Sequence, residues 1–186
     1  MALERLGLPF SCRAPEVDEH ELAGETPPGR ALRLARAKAA AVAAAVAAVA
    51  GEQPTAIVIG SDQVASLDTG EGARILHKPG NRANCLQQLR AMSGRTARFD
   101  TALAVVQGRQ LIEHADVTLV RFRALDDAAI ESYMDREPSF DCAGGFKCEG
   151  LGVTLFESVE TRDPTALVGL PLIALCAALR RLGVGV

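Results

Sequence analysis

Along residues 30–50, Leu32, Ala35, Ala39, Val42, Val46 and Val49 recur at spacings of three and four. One apolar stripe therefore runs along an alanine-rich stretch, and the spacing predicts a helix that follows Pro27-Pro28-Gly29 and stops at Gly51. The pattern then changes to a dense β-branched run over residues 56–60, read as a buried strand, followed by a turn at Asp68-Thr69-Gly70 and a loop at His77-Lys78-Pro79-Gly80. Residues 81–92 predict a second helix, with Leu86, Leu89 and Arg90 in register and Ser93-Gly94 as its stop. Residues 96–106 and 110–122 read as a hairpin around Gln107-Gly108-Arg109. Asp126 is placed to cap a short helix that ends before Pro138. A glycine-rich loop, a strand over residues 153–159 and a last helix from Pro171, fading at Gly183, complete the chain. The alternation predicts a single α/β domain over residues 1–186, a sandwich of helices around a mixed sheet.

Charge adds a first detail to the long helix. Arg30, Arg33, Arg36 and Lys38 crowd its amino-terminal half, where the macrodipole disfavours cations, so an anion or carboxylates should lie close by. Over the whole chain of 186 residues the net charge is −3, with 23% charged and 48% hydrophobic residues, which offers no basic face for nucleic acid. The five cysteines are odd in number and lack C-x-x-C spacing, so they suggest neither a zinc site nor a secreted disulfide framework and point to a reducing cytoplasm. The longest uncharged apolar stretch, residues 39–50, is too short to span a bilayer, and no export signal opens the chain, so no membrane partner is expected.

Candidate chemistry gathers at a few positions. Asp62 follows Ile57-Val58-Ile59-Gly60-Ser61, where the strand is expected to end, and strand ends are the usual ligand sites of open α/β sheets. Its plainer reading is a turn former. Lys38 and Lys78 could neutralise phosphate oxygens, and Glu16-Val17-Asp18-Glu19 supplies carboxylates that could share a divalent cation with Asp62. In residues 139–152, Gly144, Gly145, Gly150 and Gly152 surround Lys147 and Glu149, suggesting a tight backbone path near a ligand, although no Walker pattern is present. A thiol nucleophile at Cys142 or Cys148 is the rival chemistry; it would need a histidine base, and His20, His77 and His114 lie in no cysteine-protease context.

Six blocks, "LGLPFSCRAPEVDE", "LRLARAKA", "IVIGSDQV", "HKPGNRANCLQQLRAMSGR", "DCAGGFKCEGLGVTLFE" and "RDPTALVGLPLIAL", together resemble the Maf family of nucleotide pyrophosphatases, in family order over nearly the whole chain. The resemblance implies an α/β/α sandwich with a mixed sheet, related to the inosine triphosphate pyrophosphatases. It implies hydrolysis of a nucleoside triphosphate between the α and β phosphates with a divalent metal, Mg²⁺ or Mn²⁺, in a cytoplasmic house-cleaning enzyme, and a homodimer as a family expectation. By motif position Asp62 resembles the proton acceptor, Lys38 and Lys78 the phosphate-neutralising lysines, and Glu19 a further catalytic or metal-associated carboxylate. Gln63 and Glu149 match the subfamily acting on 7-methyl-GTP, where relatives acting on dTTP and UTP have threonine and glutamine. The physics of that assignment is consistent: guanine offers N–H donors, and N7 methylation adds a positive charge that a carboxylate favours over an amide.

Two departures accompany the resemblance. The family begins with a strand and a Ser-x-Ser-x-x-Arg-type loop, whereas "MALERLGLPF" resembles the helix after that loop, so the strand and the loop arginine are expected to be missing from the recorded chain. That feature favours an alternative, a catalytically impaired nucleotide-binding or regulatory protein linked to septum formation. His77 stands where the family commonly has glycine.

Overall fold

A computed structural model describes residues 2–50 and 56–186. Helix α1 spans Pro27–Ala50, strand β1 Ile57–Asp68, β2 Ala73–Leu76, α2 Arg82–Met92, β3 Thr96–Gln107, β4 Gln110–Phe122, α3 Asp127–Arg136, β5 Phe156–Thr161 and α4 Leu172–Arg181. Gly51, expected as the stop of the first helix, lies outside the described residues. That helix starts three residues earlier than its apolar period suggested. Thr26 caps it, its Oγ1 accepting from the Gly29 amide at 3.3 Å, and the prolines occupy first-turn positions where no amide proton is needed.

The strands form one sheet in the order β2-β1-β3-β4-β5. It is antiparallel rather than mixed: Ala65 of β1 pairs with Leu76 of β2, and Thr118 of β4 with Thr161 of β5. In two of the pairings the physical reason is visible in the connections: β1 passes to β2 and β3 to β4 through short turns, whereas parallel pairing requires a long crossover. Within the chain two compact units can be described separately. The first comprises Met1–Asp62, Thr101–Asp116 and Asp163–Val186, and the second Gln63–Asp100 and Val117–Arg162.

In the first unit, Leu103 and Val105 of β3 pack with Leu172, Leu175, Ala178 and Leu179 of α4. Each buried leucine contributes about 1.5–3 kcal/mol relative to exposure, so this cluster is a substantial source of the unit's cohesion. Among the described side chains of α1, which leave out Val49, the fully buried ones are Ala31, Leu34, Ala35 and Ala39, a stripe that shares Ala35 and Ala39 with the predicted one but takes Leu34 in place of Leu32. Small side chains on this face let a strand come close.

In the second unit, Phe99, Phe122, Phe146 and Phe156 meet edge to face, with ring centroids 5.1–5.5 Å apart. Helix α2 is capped by Asn81, whose side chain accepts from the Asn84 amide at 2.9 Å, and α3 by Asp126, which accepts from the Ala129 amide at 2.8 Å. Tyr133 of α3 is buried; its hydroxyl lies 3.0 Å from Ser139 Oγ and accepts from the Lys147 amide at 3.1 Å. The strand expected over residues 153–159 begins only at Phe156, because residues 151–155 wind into a single 3₁₀ turn first.

Candidate active site

Asp62 does not lie at a strand end. β1 continues six residues past it, so the carboxylate projects from the middle of a long strand. What positions it is Gly60, two residues earlier and hence on the same face. A Cβ on Gly60 would lie 2.4 Å from the Ala35 carbonyl oxygen and 2.6 Å from the Ala39 amide nitrogen, so β1 and α1 are in backbone contact there. Lys38 precedes Ala39 on the helix, and this close approach lets its Nζ donate to Asp62 Oδ1 at 2.6 Å. The same ammonium pairs with Glu19 Oε1 at 2.7 Å. Three of the residues singled out from the sequence, Glu19, Lys38 and Asp62, thus form one cluster within the first unit.

The electrostatics of the cluster are asymmetric. Burial pushes the Asp62 carboxyl above its ordinary value of 3.8, outweighing the Lys38 ammonium that acts the other way, and the neighbouring charge of Glu19 adds to the rise. Burial also opposes the charge on Lys38, but hydrogen bonds to Asp62 and Glu19 outweigh it and hold the ammonium above its ordinary 10.5. The two directions are compatible: one lysine bonds two carboxylates, while Asp62, with only 11% of its side chain exposed, is desolvated more than its cationic neighbours offset.

The other cations of α1 also find the carboxylates expected beside them. Arg30 pairs with Glu21, Arg33 with Glu25 through Nε at 2.5 Å and Nη2 at 2.8 Å, and Arg36 with Glu113 at 2.8 and 2.9 Å. Ser61, on the opposite face of β1 from Asp62, has Oγ 2.7 Å from the carbonyl oxygens of both Ala102 and Gly169. This tie was not anticipated, since Gly-Ser-Asp reads locally as a turn.

The second unit holds Gln63, Lys78 and Glu149. Gln63 is half-buried in β1 directly after Asp62, and Lys78 and Glu149 are exposed. The loop carrying Lys78 is fixed by α2: Asn84 Nδ2 donates to the Pro79 carbonyl at 2.9 Å and Gln88 Nε2 to that of His77 at 3.0 Å. The Gly80 amide donates to the Phe140 carbonyl at 2.8 Å, joining this loop to residues 139–152.

Three glycines of residues 139–152 are required by packing within the protein. A Cβ on Gly145 would meet Cys85 Sγ at 2.8 Å, on Gly150 the Glu137 carboxylate at 2.2 Å, and on Gly152 the Lys147 carbonyl at 2.3 Å. Glu137 also accepts from the Leu151 amide at 2.7 Å. No local sequence signal marked Glu137 or Tyr133 as anchors, because their partners lie 14 residues away.

The thiol chemistry weighed from the sequence finds no support. Burial and the adjacent Glu149, which accepts from Cys148 Sγ at 3.3 Å, push the Cys148 thiol up to about 12. Burial, with Asp141 beside it, likewise raises Cys142. Nucleophilic cysteines need the opposite shift.

For a divalent cation, the described residues offer no cluster of three or more His, Cys, Asp or Glu side chains. They do offer Asp62 and Glu19 converging on one positive charge. Two carboxylates of this kind suit Mg²⁺, which is bound through one or two carboxylates together with substrate phosphates rather than by an all-protein cage.

A family model described as Maf-like protein matches residues 1–182. The chain is 52% identical over 181 residues to the 7-methyl-GTP pyrophosphatase of Xanthomonas oryzae pv. oryzae (strain MAFF 311018), covering 97% of this chain and 90% of that protein. It is 52% identical over 182 residues to the 7-methyl-GTP pyrophosphatase of Bordetella avium (strain 197N), covering 97% and 86%. Over 186 residues it is 47% identical to the protein of that name in Albidiferax ferrireducens, covering 99% and 88%.

Proposed function

The chain belongs to the Maf-like protein family, and on that premise we propose that it is a nucleoside triphosphate pyrophosphatase that hydrolyses 7-methyl-GTP to 7-methyl-GMP and pyrophosphate. The observation that carries this reading is the bridge of one ammonium between two carboxylates, Lys38 with Asp62 at 2.6 Å and with Glu19 at 2.7 Å. Phosphoanhydride hydrolysis needs a base for water and positive charge for the phosphates, and this cluster contains both.

Asp62 accepts a proton from water. The water oxygen bonds to the α-phosphorus, the bond from that phosphorus to the bridging oxygen breaks, and pyrophosphate leaves. A carboxyl raised above its ordinary value is a better proton acceptor, so burial of Asp62 serves the chemistry. Lys38 and Lys78 neutralise phosphate oxygens. Asp62 and Glu19 would hold Mg²⁺ or Mn²⁺, which supplies further positive charge against the triphosphate when bound. Glu149 and Gln63 select the base, the carboxylate favouring the positively charged methylated guanine.

The role is house-cleaning of modified nucleotides in the cytoplasm. The five free cysteines are consistent with that compartment. A homodimer is the family expectation, and sedimentation of the purified chain tests it. The decisive assay incubates the protein with 7-methyl-GTP and Mg²⁺ or Mn²⁺ and measures pyrophosphate, beside Glu149→Gln with dTTP and UTP as competitors. Absence of pyrophosphate sinks the enzyme reading, and an unaltered preference in Glu149→Gln sinks the specificity reading.

A further inference from the structure

Between residues 7 and 26 the chain forms no helix or strand, yet Glu19 within this segment reaches Lys38 at 2.7 Å. An irregular segment bearing an exposed carboxylate has no intrinsic reason to hold that position. Two side chains of α1 supply one. Arg30 Nη2 donates to the main-chain carbonyl of Glu19 at 2.9 Å, and Arg33 Nη2 donates to that of His20 at 3.0 Å. The two arginines are three apart on α1 and therefore lie side by side, and they take consecutive carbonyls of the segment. Each is itself anchored by an acidic residue of the same segment, Arg30 by Glu21 and Arg33 by Glu25.

We infer that Arg30 and Arg33 are positioning residues that clamp residues 19–25 onto α1 so that the Glu19 carboxylate meets the ammonium of Lys38. The argument rests on geometry: main-chain carbonyls, unlike exposed carboxylates, fix where a segment runs, and a guanidinium can hold a carbonyl and a carboxylate at once. Lysine in either place makes its contacts from a single nitrogen and lacks the planar fork that fixes a carbonyl and a carboxylate at separate points. The inference deepens the reading above, since positioning matters to turnover only if Glu19 takes part in it.

The test compares Arg30→Met, Arg33→Met and Glu19→Gln, singly and with Arg30→Met and Glu19→Gln combined, in pyrophosphate release from 7-methyl-GTP. Each arginine variant is expected to lose about tenfold in kcat, with KM changing less. The double variant should be no slower than Glu19→Gln alone within about twofold, because both changes remove one contribution. Arg30→Lys should recover only part of the loss. Amide hydrogen exchange at residues 18–22 is expected to quicken in both arginine variants while α1 stays protected, a readout that does not depend on turnover; if Arg30→Met fails to fold, Arg30→Lys carries this arm. Additive losses, or unchanged exchange at residues 18–22, overturn the proposal. If the unmodified protein is active and Glu19→Gln equally so, the role of Glu19 and the positioning of it fall together. If the unmodified protein releases no pyrophosphate, the hydrolase reading fails by itself, and the exchange measurement alone decides whether the arginines hold the segment.

Discussion

Gly60→Ala is the substitution that most directly tests how the cluster is built. The added methyl would stand 2.4 Å from the Ala35 carbonyl oxygen, 2.6 Å from the Ala39 amide nitrogen and 2.9 Å from Ala39 Cβ, and two of these three atoms are backbone. Ordinary contact begins at 3.4 Å, so β1 and α1 have to part by about 1 Å, the difference from 2.4 Å. Overpacking of this kind costs roughly 1–3 kcal/mol, and in a chain of this size each kcal/mol lowers Tm by about 2–4 °C. The same displacement opens the 2.6 Å bridge from Lys38 to Asp62 beyond hydrogen-bond reach. A misplacement of about 1 Å in a reacting group can cost about 100-fold, so kcat should fall far more than stability suggests. Urea unfolding and steady-state pyrophosphate release from the same preparation measure both. A Gly60→Ala protein with the stability and turnover of the unmodified chain would refute the claim that backbone contact at Gly60 sets the distance between lysine and carboxylate.

Asp62→Asn should abolish turnover, by at least about 100-fold, without lowering Tm. The sign follows from the raised carboxyl: its stabilising contribution is present below the ordinary value of 3.8 and is lost as pH rises through the folded value, so at neutral pH the ionised group is a cost that asparagine avoids. For the same reason the acid limb of the kcat profile should lie above 3.8, and a limb at or below that value would contradict the assignment. Cys142→Ala and Cys148→Ala should each leave kcat within about twofold, and loss of turnover in either would return the thiol chemistry to consideration. Gly152→Ala should destabilise the protein by about 1–3 kcal/mol, because the Lys147 carbonyl 2.3 Å from the new methyl is backbone and cannot swing aside; an unchanged urea midpoint would show the loop to be looser than described.

Much of the fold was legible because its signals are local. The start of α2 beside Asn81, the cap at Asp126 and the β3–β4 hairpin each depend on residues a few positions apart, and each was placed within a residue or so. The second half of β1 was not legible, and the reason is physical. Val64, Ala65, Ser66 and Leu67 are all buried, so neither face of the strand is left polar and the alternation that would mark it is missing. That loss of signal placed Asp62 at an end instead of mid-strand. The pairing of Lys38 with Asp62 was open to suspicion from the helix's surplus of cations, but its geometry depends on Gly60, which in sequence looks like the strand's terminator. The glycines of residues 139–152 carry a packing role that the sequence does not show. Spacing alone cannot distinguish a backbone shaped for a ligand from one shaped around Cys85, Glu137 and Lys147.

Tyr133 has a consequence for anyone following this protein by light. The chain contains no tryptophan and one tyrosine, so its near-ultraviolet emission arises from a single buried ring, bonded to Ser139 and to the amide of Lys147. That ring is a reporter built into one unit and silent about the other. Emission will record when the anchor of residues 139–152 lets go, while far-ultraviolet dichroism sums the helices of both units and is weighted by α1 and α4 towards the one that holds Asp62. Superimposable melting curves from the two signals would mean that the halves unfold as one cooperative body, and separated curves would resolve the stability of each without a label.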